Sequence, residues 1–407
     1  MPIQNSQENI GTVGEKLIAE FFDSKFSRFY SFPNPKTKSN EEVADVLIWL
    51  NRTIVLTEVK TRGNGTASTE SWISGKIQEA CEQLERNYKR IVNDEVINLH
   101  NSFYQTPLDC KGVFSTIGLI VLVYDDICKI NPTTIVSDIY RKEFPIHVIS
   151  WNDLQQMIKE IDTVPDFIYY LNDRFNYLNK YSDIPLDCEL NVLGYYKSKS
   201  NHFPTTTADF SKKNFWAEYQ FSMSDEIKIR NEHNEQSWWI DKLENVFSQQ
   251  RKLHDGLPLG LYFVWEVSSL SRRERASFGE KINSVREWFE KGKLTRHFAF
   301  FNHSTANWLV FYFSKSETEE IFGELEKLIE LKLIKEIEEV SFNRGVYGFG
   351  FQVSTTFPSR VLGLTSAIVI GADEVKIYTK NDYIECQKVW GNDDAKQVFI
   401  IKEFPTN

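Results

Sequence analysis

Cysteine is scarce: five in 407 residues, at Cys81, Cys110, Cys128, Cys188 and Cys386. The number is odd, the spacing is wide and no CxxC pair occurs, so neither a disulfide framework nor a zinc site is expected. Reduced thiols in a cytoplasmic protein are the simplest expectation. No run of about 20 apolar residues exists, which leaves no transmembrane helix to expect. The opening MPIQNSQENIG has neither the basic start nor the apolar stretch of a secretory signal. The seven histidines show no HxxxH spacing. Glu232-His233-Asn234 lacks the rest of an HNH site, and no GxxxxGK[ST] loop marks a nucleotide-driven motor. Positive charge is also in deficit: 47 Lys and Arg against 57 Asp and Glu give a net charge of −10. Proteins that coat nucleic acid are usually basic, because neutralising phosphates releases counterions. The acidic balance therefore argues against non-specific nucleic-acid binding by the whole surface, while local basic patches remain free to track a backbone.

What is present is a folded, soluble composition, 41% hydrophobic and 26% charged. The 14% aromatic share runs along the whole chain and argues against long disordered regions. The length allows two or three domains. Residues 1–155 read as an α/β domain with a mixed central sheet flanked by helices. Residues 156–205 read as a helical extension and linker, with Lys197 to Lys213 as the polar, Ser/Thr-rich connection. Residues 206–407 read as an α+β domain serving specificity, sensing or oligomerisation.

Within the first domain, Asn9 to Phe22 places Ile10, Val13, Leu17 and Phe21 at helical spacing. A short strand follows at 28–33. The apolar runs Val43–Leu50 and Thr53–Thr61, joined by Asn51-Arg52, predict a β-hairpin, ended by the loop Arg62-Gly63-Asn64-Gly65. A helix is expected over Trp72–Val92, with Ile77, Cys81, Leu84, Tyr88 and Ile91 on its apolar face. Thr116–Tyr124 reads as a strand buried on both sides, and another strand is expected near Ile146–Ile149. Helical pattern resumes over 152–181, in two pieces separated near Pro165. In the second domain, strands are expected at Gly260–Val267, His297–Phe301, Trp308–Phe313, Val346–Val353, Ser366–Ile370, Val375–Thr379 and Gln397–Ile401. A helix is expected over Glu317–Glu339. Trp238-Trp239 reads as core or interface, and Arg272-Arg273-Glu274-Arg275 as a helix start.

The chemistry is concentrated in ADVLIWLNRTIVLTEVKTR. Asp45 lies at the start of the first strand of the hairpin. Glu58 and Lys60, two apart near the end of the second, share one face by period-2 alternation. Two carboxylates suit a hard cation that keeps waters and takes substrate oxygens. A lysine beside them suits positioning a water and stabilising charge on a phosphate. The carbonyl of Val59 is a further candidate metal ligand.

This set resembles the PD-(D/E)XK nuclease superfamily: Asp45, then Glu58-Val59-Lys60, over about the first 150 residues, with Ala44 where the family has proline. The resemblance implies a restriction-endonuclease-like fold and a metal site of Asp45, Glu58 and Val59, supported by Glu15 from the first helix. It further implies an accessory polar residue on the following helix. Gln83 fits best there, because it shares a flank with Lys76; Gln78 lies on the opposite flank. Arg62, Lys36 and Lys38 are further phosphate-contact candidates, although a solvated loop explains them as well. The expected activity is a Mg2+-dependent DNA phosphodiesterase, with Mn2+ able to substitute. An endonuclease of prokaryotic restriction or anti-phage defence is the first expectation. A repair or recombination nuclease, or a non-catalytic nucleic-acid-binding scaffold, is the alternative. DNA is the expected partner, RNA stays open, a homo-oligomer is possible, and no membrane is involved.

Overall fold

The computed structural model describes residues 10–25, 29–63, 68–93, 95–102, 105–125, 130, 132, 135–136, 144–181, 186–206, 208–210, 212–222, 224–237, 240, 259–305, 307–339, 346–353, 361–370 and 389–390. They fall into two compact units, 1–228 and 229–407.

Helix α1 (Ile10–Lys25) opens the first unit. It buries Gly14, Ile18 and Phe22 rather than the expected stripe; Ile10, Val13 and Leu17 are exposed. The cause is close approach to the sheet. A Cβ added at Gly14 would lie 1.8 Å from Thr61 Oγ1, so the glycine face meets the strand, and the larger Phe22 reaches Phe167 at 6.3 Å between ring centroids. Rotation by one residue, about 100° on a helix, takes Ile10, Val13 and Leu17 to solvent, while Phe21 stays half-buried, edge-on to Trp151 at 4.8 Å.

Next come β1 (Ser31–Pro33), β2 (Lys36–Thr37), β3 (Val46–Leu50), β4 (Thr53–Thr61), α2 (Thr69–Val92), β5 (Val96–His100), β6 (Gln105–Asp109), β7 (Ser115–Val123) and β8 (Ile146–Ser150). The main sheet has the order β1-β3-β4-β7-β8. Strands β1, β3 and β4 pair antiparallel, while β4, β7 and β8 are parallel. Asn51, at φ 53°, turns the β3–β4 hairpin in the left-handed region that asparagine tolerates. Helix α2 forms part of the crossover that makes β7 parallel to β4. Its buried residues include Ile73, Ile77, Cys81, Leu84 and Ile91, while Tyr88 stacks on Phe144 at 4.4 Å. The sheet is therefore mixed and flanked by helices, as expected. A second sheet, β2-β5-β6, was not anticipated. Its signal was weak: Ile97, Leu99 and Leu108 are buried on short strands, and β6 carries a proline, Pro107, in its middle.

Helices α3 (Trp151–Glu160) and α4 (Val164–Tyr181) break where expected, with Pro165 in the first turn of α4. Helices α5 (Glu189–Ser198), α6 (Phe215–Ser222) and α7 (Ser224–Glu235) follow. Arg174 of α4 chelates Glu189 of α5 (Nη2 to Oε2, 2.6 Å) and contacts Nδ1 of His147 on β8 at 2.9 Å. Tyr170 donates to the same glutamate at 2.6 Å. This buried network fastens the helical layer to the sheet. The segment read as a linker is packed instead. Phe203 stacks on Tyr177 at 4.6 Å, and the buried Phe210 meets Tyr195 edge-on at 5.7 Å. Polar composition concealed two aromatic anchors, and the division between units falls after Lys228.

The second unit contains α8 (Leu259–Ser268), α9 (Arg272–Glu290), β9 (Thr295–Asn302), β10 (Asn307–Ser314), α10 (Thr318–Glu339), β11 (Val346–Val353) and β12 (Val361–Ile370). Its sheet order is β12-β11-β10-β9, with β10 and β11 parallel and the outer pairs antiparallel. The run Gly260–Val267, expected as a strand, is the helix α8. A short apolar run does not distinguish the two by periodicity; here Phe263 packs on Phe311, Phe349 and Phe351 of the sheet. Arg272–Arg275 begins α9 through a capping box between Ser271 and Glu274. The expected strands at 375–379 and 397–401, the Trp238-Trp239 pair and the loop beyond Gly63 lie outside the described residues. Among the described residues, no helix is long and apolar enough to cross a membrane.

Candidate active site

Strand β4 buries six consecutive residues, Ile54 to Val59, because β3 and β7 flank it and helices cover both faces. Within this apolar setting Glu58 is 4% exposed. Glu58 and Lys60 point toward α2. Lys60 Nζ donates to Gln83 Oε1 at 2.5 Å and to Glu58 Oε2 at 3.2 Å, and Glu79 Oε1 lies 3.7 Å away. Thr57, Val59 and Thr61 occupy the other face, where Thr61 meets Gly14 of α1.

Asp45 stands one residue before β3, at a bend. Its N–H donates to Thr57 O at 3.1 Å, and its carbonyl accepts from Asn34 N at 3.0 Å. The last Cα pair of the hairpin ladder is Val46 with Thr57. Beyond it, the Asp45 carboxylate takes over from the missing strand, with Oδ2 accepting the Val59 N–H at 2.6 Å. The Val59 carbonyl faces the same strand edge as that N–H. Asp45, Glu58 and the Val59 peptide are thus brought together where the ladder ends.

The electrostatics of this corner are unfavourable to its carboxylates. Burial, then the charge of Glu58, pushes Asp45 up to about 8 against the opposing pull of the Val59 N–H. Burial pushes Glu58 up to about 7, although Lys60 draws it down. Glu15 is also raised, by burial and by Glu42, with Lys60 opposing. The donor set is all oxygen and rich in negative charge, which suits a small hard cation that retains its waters. Among the described residues, no group of three or more His, Cys, Asp or Glu is placed to hold a metal ion. Asp45, Glu58 and Glu15 do not meet as a three-carboxylate site, so an ion held by Asp45 and Glu58 would take its remaining ligands from water and substrate.

A cleft of about 420 Å³ opens beside Asp45, lined by residues including Glu15, Lys16, Glu20, Asn34 and Asn101. Of the expected site residues, Asp45 and Glu15 line this cleft, whereas Glu58, Val59, Lys60 and Gln83 do not. Gln78 is exposed and bonds Glu82 at 3.4 Å. Arg62 donates to Thr69 Oγ1 at 2.6 Å, bracing the start of α2. Lys36 and Lys38 are solvent-exposed around β2. Three neighbours went unforeseen. Glu42 lies three positions before Asp45, Glu79 lies one turn before Gln83, and Asn101 arrives on the β5–β6 connection. The helical interval to Gln83 was a readable signal for Glu79; Asn101 required the tertiary structure.

Comparison with protein-family models, with curated proteins and with solved structures returns no match.

Proposed function

We propose that the first unit is a Mg2+-dependent phosphodiesterase acting on DNA, with Mn2+ able to substitute. The observation that carries this reading is the buried Asp45–Glu58 pair beside a lysine held in place by Gln83. An apolar strand end is a costly place for two carboxylates unless a cation offsets their charge. The helix, antiparallel strands, helix and parallel strand around this pair support the likeness to PD-(D/E)XK nucleases and a restriction-endonuclease-like domain.

In this reading Asp45, Glu58 and the Val59 carbonyl hold the ion, with Glu15 on its α1 side. Bound there, the ion supplies Lewis-acid stabilisation of the phosphoryl oxygens and a more acidic water. Lys60 positions the attacking water and adds positive charge near the scissile phosphate. Gln83 fixes the direction of the ammonium group. Endonucleolytic cleavage in prokaryotic restriction or anti-phage defence is the biological setting we favour, by analogy with nucleases gated by an attached module.

The test is incubation of purified full chain with plasmid and linear DNA in Mg2+ or Mn2+, comparing wild type with Asp45→Ala and Lys60→Ala. Cleavage by wild type and a loss of at least about 100-fold in each variant are expected, the scale of a displaced acid–base group. A wild-type protein that cuts neither DNA nor RNA, alone or with phage-derived triggers, sinks the proposal.

A further inference from the structure

In the second unit, the turn after α9 gathers cations on aromatic faces. Trp288 donates its indole N–H to Thr295 O at 2.7 Å, across a turn that uses Gly292 at φ 77°. The Arg296 guanidinium lies 4.7 Å from the Trp288 centroid, and Lys293 Nζ lies 5.7 Å from it. Lys315 joins from the end of β10: its backbone N–H donates to Leu294 O at 3.1 Å, and its Nζ lies 5.6 Å from the Phe289 centroid.

Among the described residues, none of these three cations is ion-paired. The nearby Glu290 is taken by Arg286 at 3.2 Å. The aromatic faces hold the cations in place without neutralising them. Attraction to a helix C-terminus does not account for the set. No basic residue lies in the last turn of α9, and Arg296 and Lys315 belong to strands or their ends. In a chain of net charge −10, three pre-placed cations from separate segments, without an ion pair among the described residues, match a partner with closely spaced anions.

We propose that this corner grips a nucleic-acid phosphodiester backbone, with Lys293, Arg296 and Lys315 each meeting a phosphate while Trp288 and Phe289 hold them in position. The proposal goes beyond the phosphodiesterase reading and rests on it only for the choice of nucleic acid among polyanions.

The test is fluorescence anisotropy of the full chain with a labelled duplex and an equally long single strand, in chelator, across a salt series. The triple variant Lys293→Gln/Arg296→Gln/Lys315→Gln is compared with wild type. The control is Lys212→Gln/Lys213→Gln, whose cations are ion-paired with Asp209 and Glu218. At about 0.9 per lost contact on duplex DNA, the slope of log affinity against log salt falls by roughly 2–3 in the triple variant. Affinity at low salt falls roughly tenfold or more, independently of sequence. The control keeps both values. Lys293→Gln alone, at an exposed side chain, lowers the slope by about one and serves if the triple variant fails to fold. An unchanged slope in a folded triple variant overturns the proposal, and so does displacement of DNA by polyglutamate at equal charge, which assigns the corner to an acidic protein. Patch-dependent binding without cleavage would refute the phosphodiesterase reading alone. Cleavage with patch-independent binding would refute this inference alone.

Discussion

Asp45→Asn is expected to stabilise the metal-free protein far more at pH 8.5 than at pH 5, where only about a quarter of the effect is present. Asp45 is 9% exposed, and burial with the Glu58 charge lifts its pKa from 3.8 to about 8. A carboxyl with a higher pKa folded than unfolded keeps its proton longer in the folded state. Its contribution is complete below about pH 4 and is lost progressively as pH rises to about 8. At ~1.4 kcal/mol per unit, a window of about four units corresponds to on the order of 5 kcal/mol. Half of that would move Tm by roughly 5–10 °C in a unit of this size. Asparagine retains an acceptor for the Val59 N–H and removes the charge, so it escapes this penalty. It also relieves Glu58 of a charged neighbour. Thermal melts followed by circular dichroism in chelator, from pH 5 to 8.5, measure the difference. Adding Mg2+ at pH 8.5 should raise the wild-type Tm by binding to the folded state, with little effect on the variant. A variant no more stable than wild type at pH 8.5, or a gap that does not widen with pH, refutes the reasoning.

Arg174→Met should cost about 3–5 kcal/mol, because it leaves the Glu189 carboxylate buried without its cation; chemical denaturation measures it, and adding Glu189→Leu should recover much of the loss. Gly14→Ala should destabilise by about 1–3 kcal/mol through overpacking against Thr61, and Thr61→Ala in the same chain should restore part of it. Both effects are read as shifts in denaturation midpoint at constant slope.

The hairpin was legible because β-branched runs flanked a two-residue turn, and Glu58 and Lys60 share a face by alternation alone. Asp45 stood out as a carboxylate entering an apolar strand. Other features were not local properties of the chain. The orientation of α1 depended on the Gly14–Thr61 contact, and a helix wheel ranked the wrong stripe because it contains no sheet. Gly260–Val267 was ambiguous because a fully apolar run has no polar phase to reveal its period. Phe203 and Phe210 were hidden in polar composition, although their partners Tyr177 and Tyr195 made that segment part of a core.

The sequence alone determined which residue types could perform chemistry and the strand spacing that aligns two of them. It also determined the excess of negative charge. Tertiary structure decided that Asp45 closes the ladder at Val59, that Gln83 rather than Gln78 reaches Lys60, and that burial raises both carboxylates together. The physical reason is range. Alternation and turn chemistry act over a few residues, whereas desolvation and the Lys60–Gln83 bond depend on groups 23 positions apart, and on the helices that exclude water around them.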